Sequence, residues 1–309
     1  MTTTHMVKND VAPKRDGGIE EAMQAVERVM FDIVNSDVTI LRDASRHILE
    51  AGGKRIRPRL VILSYLASLG ENVDKVIRPA AAVELVHTAS VVHDDINDHG
   101  VVRRGRASVN SIWGRTFALL TGDFLFTKVY ELMAPYGELN PLFADATIAL
   151  VEGETLQAQA VKENNLSSEI YMDIIARKTA ALFRMGATMG AQLADATDEQ
   201  VEALGQYGFN IGLAFQIVDD ILDLIGDETK LGKTAGLDLE QGKGLASVDD
   251  GDPMRVIKDK VLRGDRIEKG RQQALMLVQA AVAALDVLPD TVYKDALIDL
   301  AHMTVDREF

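Results

Sequence analysis

Two aspartate clusters have the residue types and spacing best suited to chemistry in this sequence: Asp94-Asp95-Ile96-Asn97-Asp98 and, far downstream, Asp219-Asp220-Ile221-Leu222-Asp223. On a helix, the first and last Asp of each cluster stand one turn apart on the same face. Like charges at that spacing repel and weaken a helix slightly, so folding alone gains nothing from them. Each cluster also follows an apolar stretch, Ala89-Ser90-Val91-Val92 in one case and Phe215-Gln216-Ile217-Val218 in the other. A bound divalent cation offsets the repulsion. Mg²⁺ suits the arrangement because it takes only one or two protein carboxylates and completes its octahedron with water and phosphate oxygens. A lone cluster of this kind is equally a solvated acidic helix end. Two of them predict a clamp that holds a metal-diphosphate between facing helices. His87 and His93 precede the first cluster and open a transition-metal reading, since His with carboxylate also binds Zn²⁺ or Fe²⁺. His93 reads better as a hydrogen-bonded core histidine, and His87, seven residues before Asp94 on the same face, as a donor to a phosphate oxygen.

A diphosphate needs cations, and the sequence places them near both clusters. Gly52-Gly53-Lys54-Arg55-Ile56-Arg57-Pro58 sets three cations in a glycine-preceded turn, with Pro58 suited to the first turn of a helix. Backbone amides and side chains could both face an anion there. Arg103-Arg104-Gly105 follows the first cluster closely, and a guanidinium grips diphosphate oxygens with paired donors. Lys178-Thr179 falls inside an apolar segment, Gln216 three residues before Asp219, and Lys233 and Lys243 beyond the second cluster.

The elements that must position these groups read as helices. Only 7 prolines occur in 309 residues, 47% of the chain is hydrophobic, and apolar residues recur at three- and four-residue intervals. Ile19, Met23, Val26 and Met30 form one early amphipathic stripe, and Thr197 with Gln200 makes a capping-box start for a helix running toward Ile225. Breaks are predicted at Gly52-Gly53, Gly70, Gly100, Gly114, Pro135-Tyr136-Gly137, Asn164-Asn165, Gly226 and Gly251. The segments 80–92, 117–133 and 201–225 are apolar on more than one face, so they belong inside a bundle or along a cavity. Residues 1–18 read as a polar, flexible leader and 19–309 as a single helical domain. The absence of cysteine excludes disulfides and thiolate metal sites and is compatible with a reducing cytoplasm. A formal net charge of -14 argues against nucleic acid and anionic membrane surfaces as partners. No apolar run is long enough to span a bilayer.

Taken together, these motifs resemble the trans-isoprenyl (polyprenyl) diphosphate synthase family over most of the chain. The resemblance rests on Gly53-Lys54-Arg55-Ile56-Arg57-Pro58, the stretch Glu84 to Ser90 leading into the first cluster, Arg103-Arg104-Gly105, Gly122-Asp123, Lys178-Thr179, Phe215-Gln216 and Gly232-Lys233. It implies an all-α isoprenoid synthase fold, a large helical bundle around a central cavity, assembled as a homodimer. It implies three Mg²⁺ ions, with Mn²⁺ as a substitute, held chiefly by Asp94, Asp98 and Asp219 with help from Asp95, Asp220 and Asp223. Arg103, Lys178 and Lys233 would hold an allylic diphosphate, and Lys54, Arg57, His87 and Arg104 isopentenyl diphosphate. Lys178, Thr179 and Gln216 would set dipoles beside a carbocation.

Helix geometry makes the residues before the first cluster a depth gauge, at about 1.5 Å per residue. Ala89 and Ser90 lie one turn below Asp94 and Val86 two turns below, and all three would line the passage for a growing tail. The family's short-chain members block those two nearer places with aromatics; both residues are small here. The expected product is therefore geranylgeranyl diphosphate or a longer polyprenyl chain, with Phe126, Tyr130 and Met133 as candidates for the floor. One departure follows Lys243, where about a helix's worth of residues is missing relative to the family pattern. That puts the role of Lys243 in question. The rival readings are a terpene cyclase, which needs no second basic set, and a noncatalytic partner subunit, which would not keep both Asp clusters.

Overall fold

The computed structural model describes residues 17–163, 165, 167–225 and 260–306. Lys233, Lys243, the residues after Lys243, the breaks at Asn164, Gly226 and Gly251, and most of the expected leader lie outside that range. The first helix, α1 (Gly17–Ile33), buries Ile19, Met23, Val26 and Met30, the stripe seen in the sequence, and starts slightly before the expected boundary. There follow α2 (Thr39–Glu50), α3 (Ile56–Ala67) and α4 (Asp74–Asn97), then a two-stranded antiparallel hairpin, β1 (Val102–Arg103) with β2 (Arg106–Ala107). Next come α5 (Val109–Met133), α6 (Asn140–Glu163) and α7 (Ser168–Ile175). A π-helical turn at Ala176–Ala180 joins α7 to α8 (Ala181–Leu193). The long α9 (Asp198–Ile225) precedes α10 (Lys260–Ala284) and α11 (Val292–Val305).

Position in the bundle follows from apolar patterning. From Val76 to Val86, α4 buries nearly every side chain and packs against α1, α3, α5 and α8, which its lack of a polar face requires. In turn, α9 lies against α8 and α10. Its first turn is closed as the sequence predicted: the Gln200 amide N–H donates to Thr197 Oγ1 at 3.3 Å and the Thr197 amide N–H to Gln200 Oε1 at 3.2 Å. Gly114 (φ 80°) kinks α5 five residues after its start at Val109, rather than ending a helix. No helix among the described residues is long and apolar enough to cross a membrane.

Glycines on α9 decide how closely it approaches α8. A Cβ at Gly208 would stand 2.6 Å from the Phe183 carbonyl oxygen, and one at Gly212 would stand 2.6 Å from Ala180 Cα. Spacing of three and four keeps those glycines on the face that continues into Gln216 and Asp219. The close contact therefore delivers that polar end directly onto the π-turn.

Candidate active site

The two aspartate clusters end α4 and α9, and the π-turn lies between them. Its consecutive side chains reach opposite ways. Lys178 Nζ is 3.6 Å from Asp94 Oδ2, while Thr179 Oγ1 donates to Gln216 Oε1 at 2.8 Å and Gln216 Nε2 donates to Asp220 Oδ1 at 3.1 Å. The wide turn of a π-helix re-aims side chains that a regular helix would carry past each other. Gly153 on α6 makes room for it, since a Cβ there would lie 2.8 Å from the Lys178 amide nitrogen. Its neighbours then grip the turn: Glu152 pairs with Arg177 at 2.6 Å, and Glu154 pairs with Lys178.

Charge is concentrated where these elements meet. Burial lowers the Lys178 ammonium's affinity for its proton, but Asp94 and Glu154 outweigh it and hold the group firmly cationic. Burial and then Asp94 push the Glu154 carboxyl up to about 7, against the pull of Lys178. Asp95 is 1% exposed; burial raises its pKa, partly offset by Arg103, whose Nε and Nη2 donate to Oδ1 at 2.9 and 2.6 Å. Arg103 thus braces the first cluster.

A second basic group forms where α3, α4 and the hairpin converge. Arg104 (φ 51°) and Gly105 (φ 73°) occupy the two-residue hairpin turn, where both positions require left-handed backbone. The Arg104 guanidinium then rests on Gly53, where a Cβ would lie 2.5 Å from Nη1. Arg57 lies over the Phe183 ring at 4.8 Å, and burial lowers its pKa to about 10. His87 is held well below its ordinary value, first by burial and then by Arg57, Arg104, Arg103 and Arg55. A neutral imidazole among arginines is a poor arrangement for an isolated protein and a good one for an anion. Of the three cations in the glycine-rich turn, Arg55 points inward, donating to Glu84 Oε1 at 2.9 Å and the Leu49 carbonyl at 3.0 Å.

The residues expected to gauge depth lie along α4. Val86 and Ala89 are fully buried, and Ser90, half-buried, donates back to the His87 carbonyl. Phe126 stacks on His93 and Met133 is buried, but Tyr130 is 78% exposed and lines no passage within this chain. His93 is hydrogen-bonded as anticipated, its Nε2 3.3 Å from the Leu119 carbonyl and 3.5 Å from Asp123, but it is only partly buried rather than a core residue; its ring packs so closely on Gly122 that a Cβ there would collide with it. Sequence reasoning missed Tyr171, Glu154, Glu84 and the inward role of Arg55. Glu152-Gly153-Glu154, a glycine between two acids in an otherwise apolar helix, was the available signal for one of them.

Metal fit follows from the donor set. Asp95 Oδ2 is buried without a hydrogen-bond partner, and the clusters offer hard carboxylate oxygens. Among the described residues no three His, Asp or Glu side chains converge into a closed metal centre. Carboxylate oxygens of this kind fit a hard divalent cation, which takes oxygen ligands.

A helical bundle with carboxylate clusters on either side of a cation-bearing π-turn defines the isoprenoid synthase class. Residues 38–248 match the Polyprenyl synthetase family model, and the chain belongs to that family. It is 35% identical to octaprenyl diphosphate synthase of Escherichia coli, over 93% of this chain and 96% of the relative. It is 32% identical to geranylgeranyl diphosphate synthase of Methanosarcina mazei, over 87% and 90%. Its structure superposes on polyprenyl synthase from Caulobacter crescentus, solved with calcium and isoprenyl diphosphate, with a TM-score of 0.87 at 34% identity, covering 93% and 95% of the two chains.

Proposed function

We propose that the chain is a Mg²⁺-dependent trans-prenyl diphosphate synthase condensing isopentenyl diphosphate head-to-tail with an allylic diphosphate. The observation that carries this reading is the π-turn, whose Lys178 meets the first aspartate cluster while Thr179 joins the second through Gln216. Bound Mg²⁺, in three sites and replaceable by Mn²⁺, would neutralise the departing diphosphate; Asp94, Asp98 and Asp219 would hold it, assisted by Asp95, Asp220 and Asp223.

In this reading Lys178 and Arg103, joined by Lys233 and with Lys243 a further candidate, bind the allylic diphosphate. Lys54, Arg57, His87 and Arg104 bind isopentenyl diphosphate. Loss of the first diphosphate leaves an allylic cation beside the dipoles of Lys178, Thr179 and Gln216, and the isopentenyl double bond attacks it. The apolar walls exclude water that would quench the cation. A proton then leaves to the diphosphate, so no side-chain nucleophile is needed. The basic group around His87 favours two diphosphates over the single substrate of a cyclase, and two intact clusters favour catalysis over a partner-subunit role. The absence of cysteine suits a cytoplasmic protein.

Small residues at Ala89 and Ser90 favour a geranylgeranyl or longer product, with Val86 deeper in the same passage. The test is incubation of the pure protein with isopentenyl diphosphate, Mg²⁺ and each short allylic diphosphate, followed by sizing of products. Elongation past farnesyl is expected, and Ala89→Phe should shorten the distribution. No elongation from any starter would overturn the function, and an unchanged distribution in Ala89→Phe would overturn the depth gauge alone.

A further inference from the structure

Two side-chain donors converge on Asp220, one of them itself held by a third residue. Thr179 donates to Gln216, Gln216 Nε2 to Asp220 Oδ1, and the Tyr171 hydroxyl to Asp220 Oδ2 at 2.6 Å. Tyr171 and Asp220 are 4% and 6% exposed. A buried carboxylate with a donor on each oxygen cannot rotate about its Cβ–Cγ bond without losing one of them. The two donors differ in what they can fix. Gln216 lies one turn back on the same helix, so its bond moves with α9. Tyr171 belongs to α7, the fourth residue of a short helix whose own start is fixed by Ser167, and it ties α9 to a separate element.

We infer that Tyr171 is a positioning residue for the second metal cluster: its hydroxyl fixes Asp220, and through it the face of α9 presenting Asp219 and Asp223 toward the π-turn. The inference rests on the metal-diphosphate reading of the site. Outer partners of metal-binding carboxylates typically change metal affinity by about 10- to 100-fold when removed.

Tyr171→Phe keeps the ring in the core and deletes only the donor. The Mg²⁺ concentration for half-maximal elongation should rise about tenfold, with the KM for isopentenyl diphosphate unchanged. Direct titration of Mn²⁺ in the presence of inorganic pyrophosphate, followed by electron paramagnetic resonance, should show the same weakening without any turnover. Asp220→Asn should weaken metal binding too, and the double variant should be little worse than the more affected single one. An unchanged Mn²⁺ titration in Tyr171→Phe, or strictly additive losses in the double variant, would overturn the inference. So would a lowered melting temperature with unaltered metal dependence, which marks a purely structural tyrosine. A poorly folding Tyr171→Phe leaves Asp220→Asn to decide, because unaltered Mn²⁺ binding in that variant also rejects the role. Wild-type protein that binds Mn²⁺ with pyrophosphate but elongates nothing would count against the synthase reading, while the titrations would still decide the role of Tyr171.

Discussion

His87 shows how an individual residue can be unfavourably placed for folding and well placed for a ligand. Burial and four neighbouring arginines keep its imidazole neutral well below its ordinary range. In the unfolded chain it takes a proton near pH 6.5, so between there and the depressed native value the unfolded state binds a proton that the native state refuses. The associated stability is fully present above about pH 6.5 and lost as pH falls. His87→Gln retains a polar side chain without the titration. Urea unfolding of the metal-free protein from about pH 7.5 to about pH 5 should therefore show a shallower loss for the variant than for wild type. Inorganic pyrophosphate, by supplying the missing negative charge, should restore part of wild-type acid stability. Equal slopes for both proteins would remove His87 from the arginine-lined pocket. The residue was legible in the sequence because it falls two turns before Asp94, but its arginine neighbours come from α3 and the hairpin, and nothing in local spacing joins those.

At the scale of elements, helix types and most boundaries follow from local signals. The capping box at Thr197 and Gln200, the apolar stripe of α1 and the glycine breaks at Gly52-Gly53, Gly70 and Gly100 are all short-range features, and they reappear where the sequence puts them. What local signals do not carry is the π-turn, because it is set by α6 and α9 closing on it from two sides. Gly153 and Gly212 permit those approaches. Tyr171 and Glu154 were missed for the same reason: each is ordinary on its own helix and gains meaning only across a helix contact. Gly212→Ala tests the point. The substitution gains about 1 kcal/mol of helix propensity, against roughly 1–3 kcal/mol for forcing a methyl onto the Ala180 backbone. Net destabilisation should thus be at most about 2 kcal/mol. Activity should suffer more, because shifting α9 separates Gln216 from Thr179, and misplacement of about 1 Å at a reacting centre can cost on the order of 100-fold. Thermal melts and kcat measured on the same preparation separate the two effects; a large stability loss with intact kcat would contradict this account.

For the whole molecule, the all-α bundle was readable because helices apolar on several faces must pack on all of them, and α4 does so. The segment at 117–133 departs from that rule. Its inner face buries Leu125, Val129 and Leu132, yet Phe117, Leu119 and Leu120 remain exposed, as do Ile148 and Val151 on α6. Water-facing apolar pairs three residues apart on a helix, Phe117 with Leu120 and Ile148 with Val151, are expensive for a monomer and normal at an interface. We propose that a homodimer would cover them, since a twofold contact places the same face on both copies. Continuity with the site would give such an assembly a functional consequence, because α5 also carries Gly122, the seat of His93 beside the first cluster. Leu120→Glu combined with Ile148→Glu puts like charges into that face on each copy. Light scattering should give wild type twice the 33.7 kDa chain mass and the variant a single chain, with helical circular dichroism retained. Elongation should fall in the monomeric variant as α5 loses its outer support and α4 relaxes toward it. Wild-type protein that is monomeric at assay concentration and fully active would refute both the assembly and its link to catalysis.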